Sequence, residues 1–200
     1  MDFGTIGAGT VAQAIAGHLV AAGHRVVLSN SRGPATLGDV VARLGPLAAG
    51  GTVAQAAAAD MVFLAVRWTN IPGALAGLPA WDGRILVDTT NQATGPAPAD
   101  VIDLGARTGS EFVAEHAPGA SVVKGFNTLY AKYIAADPRH TEGRQLLFYA
   151  GDDVAAKAAF HAVADGLGFA PVDAGALREG GRLMQVGGGP LSAVHALKQD

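Results

Sequence analysis

Ile6-Gly7-Ala8-Gly9-Thr10-Val11-Ala12 is the stretch that decides the fold. A short apolar run, residues 2–6, leads into it. An Ala-rich stretch leads out, with Ala12, Ile15, Ala16, Leu19 and Val20 at helical spacing and Gly23 where a helix would stop. The pattern is G-x-G-x-x-A set between a strand and a helix. Gly7 permits a tight turn, Gly9 leaves room for a pyrophosphate to meet the backbone, and Ala12 lets helix and strand pack closely. The helix start then offers free N–H groups and the positive end of its dipole. Gly7, Ala8, Gly9, Thr10 and Val11 are therefore the candidate pyrophosphate residues. A glycine turn kept only for packing is the alternative reading.

Working outward, six more apolar runs recur at residues 25–29, 61–66, 84–88, 121–124, 146–150 and 169–173. They are apolar at consecutive positions rather than alternate ones, as in strands covered on both faces of a parallel sheet. Amphipathic segments separate them, clearest at 152–167, where Asp152 or Asp153 can cap a helix. The alternation predicts an α/β, doubly wound, mainly parallel sheet of the NAD(P)-binding Rossmann type with a small C-terminal subdomain. The expected division is residues 1–145 for the dinucleotide-binding domain and 146–200 for an α/β extension packed on it. Residues 91–100 and 138–143 read as loops, and 191–198 as a last helix after the Gly187-Gly188-Gly189-Pro190 interruption.

The second run ends in Ser29-Asn30-Ser31-Arg32. NAD-binding domains carry an acidic residue at this place to hold the ribose hydroxyls. No carboxylate is present here, and hydroxyls, an amide and a guanidinium suit a 2′-phosphate. Asn30, Ser31 and Arg32 thus point to NADP(H); an ordinary strand-to-loop turn with an exposed arginine is the alternative. Ligands of open α/β sheets lie beyond the carboxyl ends of the strands. Three further loops fall there, at 65–68, 88–91 and 124–128. Ala65, Val66, Asn91 and Asn127, with an aromatic wall, could hold a nicotinamide and a flat acceptor. Against that, Trp68 could cover a helix edge, Asn91 could serve a turn, and Asn127 and Thr128 could cap a helix.

Composition narrows the function classes. Half of the 200 residues are hydrophobic and 16% are charged, enough for a sizeable core. The net charge is −3 and the 14 basic residues form no run, which argues against nucleic acid and membrane surfaces as partners. Without cysteine there are no disulfides and no thiolate sites. The six histidines show no metal-ligand spacing, so no metal site is expected. Met1 leads directly into an apolar stretch with no basic leader, and no long apolar window occurs, so the expected location is the cytoplasm.

The segments 7–12, 29–32, 65–68, 88–91, 122–128, 151–153 and 172–177 together resemble the coenzyme F420-dependent NADP oxidoreductases and their bacterial NADPH-binding relatives. The cytosolic domain of STEAP-type ferric reductases is similar. The Val123-Lys124-Gly125-Phe126-Asn127-Thr128 and Asp173-Ala174-Gly175 elements carry more of the resemblance than the glycine turn does. It implies an NADP-binding Rossmann domain, a homodimer, and hydride transfer between NADPH and a stacked deazaflavin, coenzyme F420. Such transfer depends on proximity and orientation rather than on an acid or base. The family loop usually reads Val-Pro-Trp, whereas Arg67 stands for the proline here, placing a positive charge near the expected nicotinamide end. Imine reductases and hydroxyacid dehydrogenases of similar N-terminal pattern need a further helical domain, for which too little chain follows residue 173. The expected function is hydride transfer from NADPH to a small-molecule electron acceptor. The alternatives are reduction of a flavin or quinone, and a non-catalytic NADPH-binding redox sensor.

Overall fold

The structure, a computed structural model, describes residues 1–199. Ten strands join in one sheet: β1 Phe3–Ile6, β2 Val26–Ser29, β3 Ala48–Gly51, β4 Met61–Leu64, β5 Ile85–Asp88, β6 Ser121–Gly125, β7 Arg139–His140, β8 Gly143–Gly151, β9 Ala170–Asp173 and β10 Leu197–Lys198. Eight α-helices intervene: α1 Thr10–Ala21, α2 Gly38–Leu44, α3 Val53–Ala57, α4 Ile71–Leu75, α5 Gly109–His116, α6 Ala131–Ala135, α7 Val154–Gly166 and α8 Leu177–Met184. The parallel part runs β3-β2-β1-β4-β5-β6. This is the doubly wound order, and it turns around at β1, where the glycine turn sits.

The strands read as continuous apolar runs because both faces are covered. Phe3, Met61, Phe63, Val87 and Val123 face one core with Ile15 and Leu19 of α1 and Phe160 of α7. Ile6, Val62, Leu64, Leu86 and Val122 face the other with Ile71 of α4, Val113 of α5 and Leu177 of α8. Each such side chain contributes about 1.5–3 kcal/mol by leaving water.

Helix ends follow local chemistry. Thr52 and Thr108 open α3 and α5 with reciprocal capping boxes to Gln55 and Glu111. Of the two aspartates read as caps for α7, Asp153 is the cap, accepting from the Ala156 N–H at 2.7 Å. Asp152 instead accepts from the Leu177 N–H at 2.8 Å and so holds the start of α8.

Several expectations need correction. The run at 146–150 is part of a longer strand, β8, and it lies antiparallel to β6. Hydrophobicity cannot reveal that, since a strand buried on both faces has the same pattern in either direction. Residues 138–143, read as a loop, contain β7 and its tight turn back into β8. Residues 191–198 are not a helix; they form turns and then β10, which pairs with Arg144 and Gln145. Leu191 and Val194 pack there against Phe148 and Met184. Residues 146–200 therefore add most of β8, together with β9, α7, α8 and β10, to the same sheet.

Candidate functional site

Gly7 leaves β1 at φ 108°, a conformation that disfavours any side chain. An ideal Cβ there would stand 2.2 Å from the Ala65 carbonyl oxygen. The turn is also tied to β2. The Gly7 N–H donates to the Ser29 carbonyl, the Ser29 hydroxyl donates to the Thr5 carbonyl at 2.7 Å, and the Thr5 hydroxyl donates to the Gly7 carbonyl at 2.8 Å. Ser29 is fully buried in this lattice and offers no hydroxyl to a ligand, a correction to its reading as part of a polar phosphate site.

Gly9 is different. Its φ is −77°, which any residue adopts, and a Cβ on it would meet nothing within 4 Å. Neither a positive φ nor a close contact requires a glycine there, although it stands at the N-cap of α1, where glycine is tolerated well. The open space lies at the start of α1, which has neither a side-chain cap nor an acidic residue in its first turn. The first N–H groups of a helix have no partner within it, so they are left to solvent or to a ligand. The Gln13 amide fixes the turn by donating to the Ala8 carbonyl at 2.8 Å. A cradle with space for a phosphate, unfilled donors and no negative charge fits the pyrophosphate of a dinucleotide.

Beside this turn runs a cleft of about 600 Å³. Ile6, Gly7, Asn30 and Ser31 form one wall. Ala65, Val66, Arg67, Thr69 and Asn70 form the other, and among the described residues no Asp or Glu lines it. The Asn30 side-chain oxygen accepts the Arg32 N–H at 2.9 Å while its amide donates to Thr36 at 2.9 Å, so Asn30 also builds the turn that carries Ser31 and Arg32. Both of those side chains are exposed. Trp68 is not an aromatic wall of the cleft. It is 6% exposed and packs on Phe112, with ring centroids 4.8 Å apart.

The loops after β5 and β6 are joined to each other and to the C-terminal segment. The Asn91 amide donates to the Asn127 carbonyl, and the Asn127 amide donates to the Asn91 side-chain oxygen, both at 3.1 Å. Asn127 also donates to the Met184 carbonyl at 2.8 Å, and Gln92 donates to the Val186 carbonyl at 3.0 Å. The Asn127 side-chain oxygen and the Thr128 hydroxyl are buried without a partner among the described residues. Phe126, just before them, is held at φ 64° although it is no glycine. Phe63, Phe160 and Phe169 surround its ring edge-on. Strain of this kind persists only where packing enforces it, and it clusters at working sites. Phe126 therefore lies inside the core and is no wall of a pocket.

Asp88 and Lys124, the first residues of two loops that sequence order placed at the site, anchor these loops from below. Asp88 is fully buried. It accepts from the Lys124 ammonium at 2.9 Å, the Ser110 hydroxyl at 2.6 Å, and the Thr90 N–H and hydroxyl at 2.8 and 2.7 Å. Lys124 also donates to the Thr90 carbonyl. The signal was available in sequence: a carboxylate and an ammonium at the ends of adjacent apolar strands, where unpaired charges are not tolerated.

Residues 2–92 match the family described as NADP oxidoreductase coenzyme F420-dependent. A candidate F420-dependent NADP-reductase from Arthrobacter sp. FB24 superimposes with TM-score 0.75 at 27% identity, over 88% of this chain and 86% of that one. Just under half of the chain thus resembles the F420-dependent NADP oxidoreductase family. Hypothetical protein SMa0349 from Sinorhizobium meliloti is similar throughout, with TM-score 0.92 and 39% identity over 100% of this chain and 96% of that one. Metalloreductase STEAP3 of Rattus norvegicus is 30% identical over 177 residues. That match takes in 87% of this chain but 34% of the reductase, so the chain spans about a third of that relative's length.

Proposed function

We propose that this chain binds NADP(H) across the carboxyl ends of β1, β2 and β4 and passes hydride between NADPH and a flat small-molecule acceptor, coenzyme F420 being the first to test. The observation that carries this reading is Gly9, whose Cβ position opens on empty space beside a helix start with no side-chain cap. Gly7, Ala8, Gly9, Thr10 and Val11 would receive the pyrophosphate on backbone N–H groups. Asn30, Ser31 and Arg32 would meet the 2′-phosphate. Ala65 and Val66 would line the path along the cleft, and Asn91 and Asn127 would stand at the nicotinamide end.

The bound dinucleotide supplies the hydride. What the protein has to supply is orientation and exclusion of water, which together account for large rate factors in such transfers. The Asn91–Asn127 pairing, pinned to the last residue of α8, suits a rigid floor rather than a proton relay. Similarity to a metalloreductase suggests a second acceptor class, a flavin, which could take the hydride and pass its two electrons one at a time to two ferric ions, releasing the proton.

The test is to follow the nicotinamide absorbance band of NADPH with the purified protein and F420, FMN, FAD, a quinone or a ferric chelate in turn, then to repeat with NADH. Turnover of F420 with NADPH, and much slower turnover with NADH, is the expected result. Tight NADPH binding without oxidation by any acceptor would instead favour the sensor reading.

A further inference from the structure

Arg67 does not reach the place that its sequence position suggested. β2, β1 and β4 are consecutive in the sheet, so the loops after β2 and β4 emerge on either side of the glycine turn. Gly7 is bonded to Ser29 on one side, and the Ala65 N–H donates to the Ile6 carbonyl at 2.8 Å on the other. The loop carrying Arg67 therefore faces Asn30 and Ser31 across one cleft. That is the end where the 2′-phosphate of the adenosine ribose is expected, not the nicotinamide end.

Three observations indicate that the side chain is kept for a ligand. Its guanidinium is exposed and makes no ion pair or hydrogen bond among the described residues. Among the described residues no carboxylate lines the cleft to neutralise it. The backbone is at φ −65° and ψ 145°, where proline sits without strain, and the Arg67 N–H has no partner among the described residues. The fold would thus accept a proline at this position, and what arginine adds is its charge and its planar fork of donors.

We propose that Arg67 is a specificity-determining residue for the phosphorylated dinucleotide. With Arg32 it forms a two-sided clamp on the 2′-phosphate, Arg32 from the β2 loop and Arg67 from the β4 loop. The proposal rests on the NADP(H) reading above. A monoester phosphate carries nearly two negative charges, so a second guanidinium remains favourable after the first has bound. NADH has nothing at this position for Arg67 to hold.

Calorimetric titration of the full chain with NADPH, NADH, adenosine 2′,5′-bisphosphate and adenosine 5′-monophosphate tests it, in wild type and in Arg67→Ala, Arg67→Lys and Arg67→Pro. Expected is a loss of about tenfold or more in affinity for NADPH and the bisphosphate in the alanine and proline variants. NADH and the monophosphate should bind as to wild type, lysine should lose less, and melting temperatures should stay unchanged. Equal losses for phosphorylated and unphosphorylated ligands would overturn the clamp and assign Arg67 to the pyrophosphate or adenine. No loss at all would overturn it too. If wild type binds neither dinucleotide, the NADP(H) reading falls and this proposal falls with it. That outcome is distinct from a variant-specific failure.

Discussion

Gly7 and Ala65 approach so closely that a Cβ on the first would stand 2.2 Å from the carbonyl oxygen of the second, whereas Gly9, two residues on, faces open space. The two glycines of one motif therefore answer to different demands. Gly7→Ala should lower folding stability by about 2 kcal/mol or more, from the positive φ and the backbone clash together. Gly9→Ala should leave the thermal midpoint within a degree or two and raise the dissociation constant for NADPH about tenfold. Thermal denaturation and dinucleotide titration of both variants check the pair. Equal destabilisation by both changes would remove the argument that Gly9 is reserved for a ligand.

Asp88 and Lys124 form a pair with 0% and 4% of their side chains exposed. Removing one partner leaves the other charge buried and unmatched, which costs about 3–5 kcal/mol. Asp88→Asn and Lys124→Met should each cost that much. The double variant should cost clearly less than the sum, because it leaves no isolated charge. Urea denaturation of the four proteins gives the coupling directly, and strict additivity would mean that the two groups act independently.

Asp165 gives a pH prediction of modest size. Its hydrogen bond from Arg144, at 2.8 Å, holds the carboxyl below its ordinary range; Asp165 is exposed and Arg144 half-buried. A carboxyl depressed in the folded state adds stability that is present above its unfolded pKa and is lost as pH falls through the folded one. The contribution should thus be complete at neutral pH and disappear in the acid range below about 4. Screening by solvent limits it to a few tenths of a kcal/mol. Asp165→Asn should shift the thermal midpoint slightly at pH 7 and not at pH 2–3. A larger shift in acid than at neutrality would contradict the sign.

How much of this could be read beforehand depended on which physical constraint each segment obeys. The β1–Gly7–α1 unit is legible because a turn of that kind demands small residues at fixed offsets. β3 was not foreseen, since Ala48-Ala49-Gly50-Gly51 has no strand preference. It forms because β2 offers a free edge in register, and Gly51 is needed there, as a Cβ would lie 2.5 Å from a methyl of Val27. The direction of β8 and the turn into β10 are set by tertiary pairing, which no local pattern encodes. Within the candidate site, sequence order shows which loops follow the strand ends but not where their side chains point. Trp68 and Phe126 look alike from sequence as pocket walls, and both are core residues. Arg67 depended on which strands are neighbours, so its place emerged only with the sheet order.

Asn127 links three segments that are far apart in sequence, through Asn91 at 3.1 Å and the Met184 carbonyl at 2.8 Å. Asn127→Ala removes both donations and leaves a buried carbonyl unpaired, at a cost of about 1–3 kcal/mol. The loss should be local, because α8 is independently held by Asp152 at Leu177 and by Leu177 in the core beside Val113. Hydrogen exchange is expected to accelerate over residues 184–191, where Gln92 still anchors Val186, while β1, β4 and β5 keep wild-type protection. On the proposed binding mode NADPH affinity should fall less than the rate of hydride transfer, because the change would touch the nicotinamide end and not the adenosine cleft. If exchange at 184–191 does not change, the Asn127 clamp contributes nothing to the order of the C-terminal segment. A rate loss would then have to be explained by direct contact with the ligand.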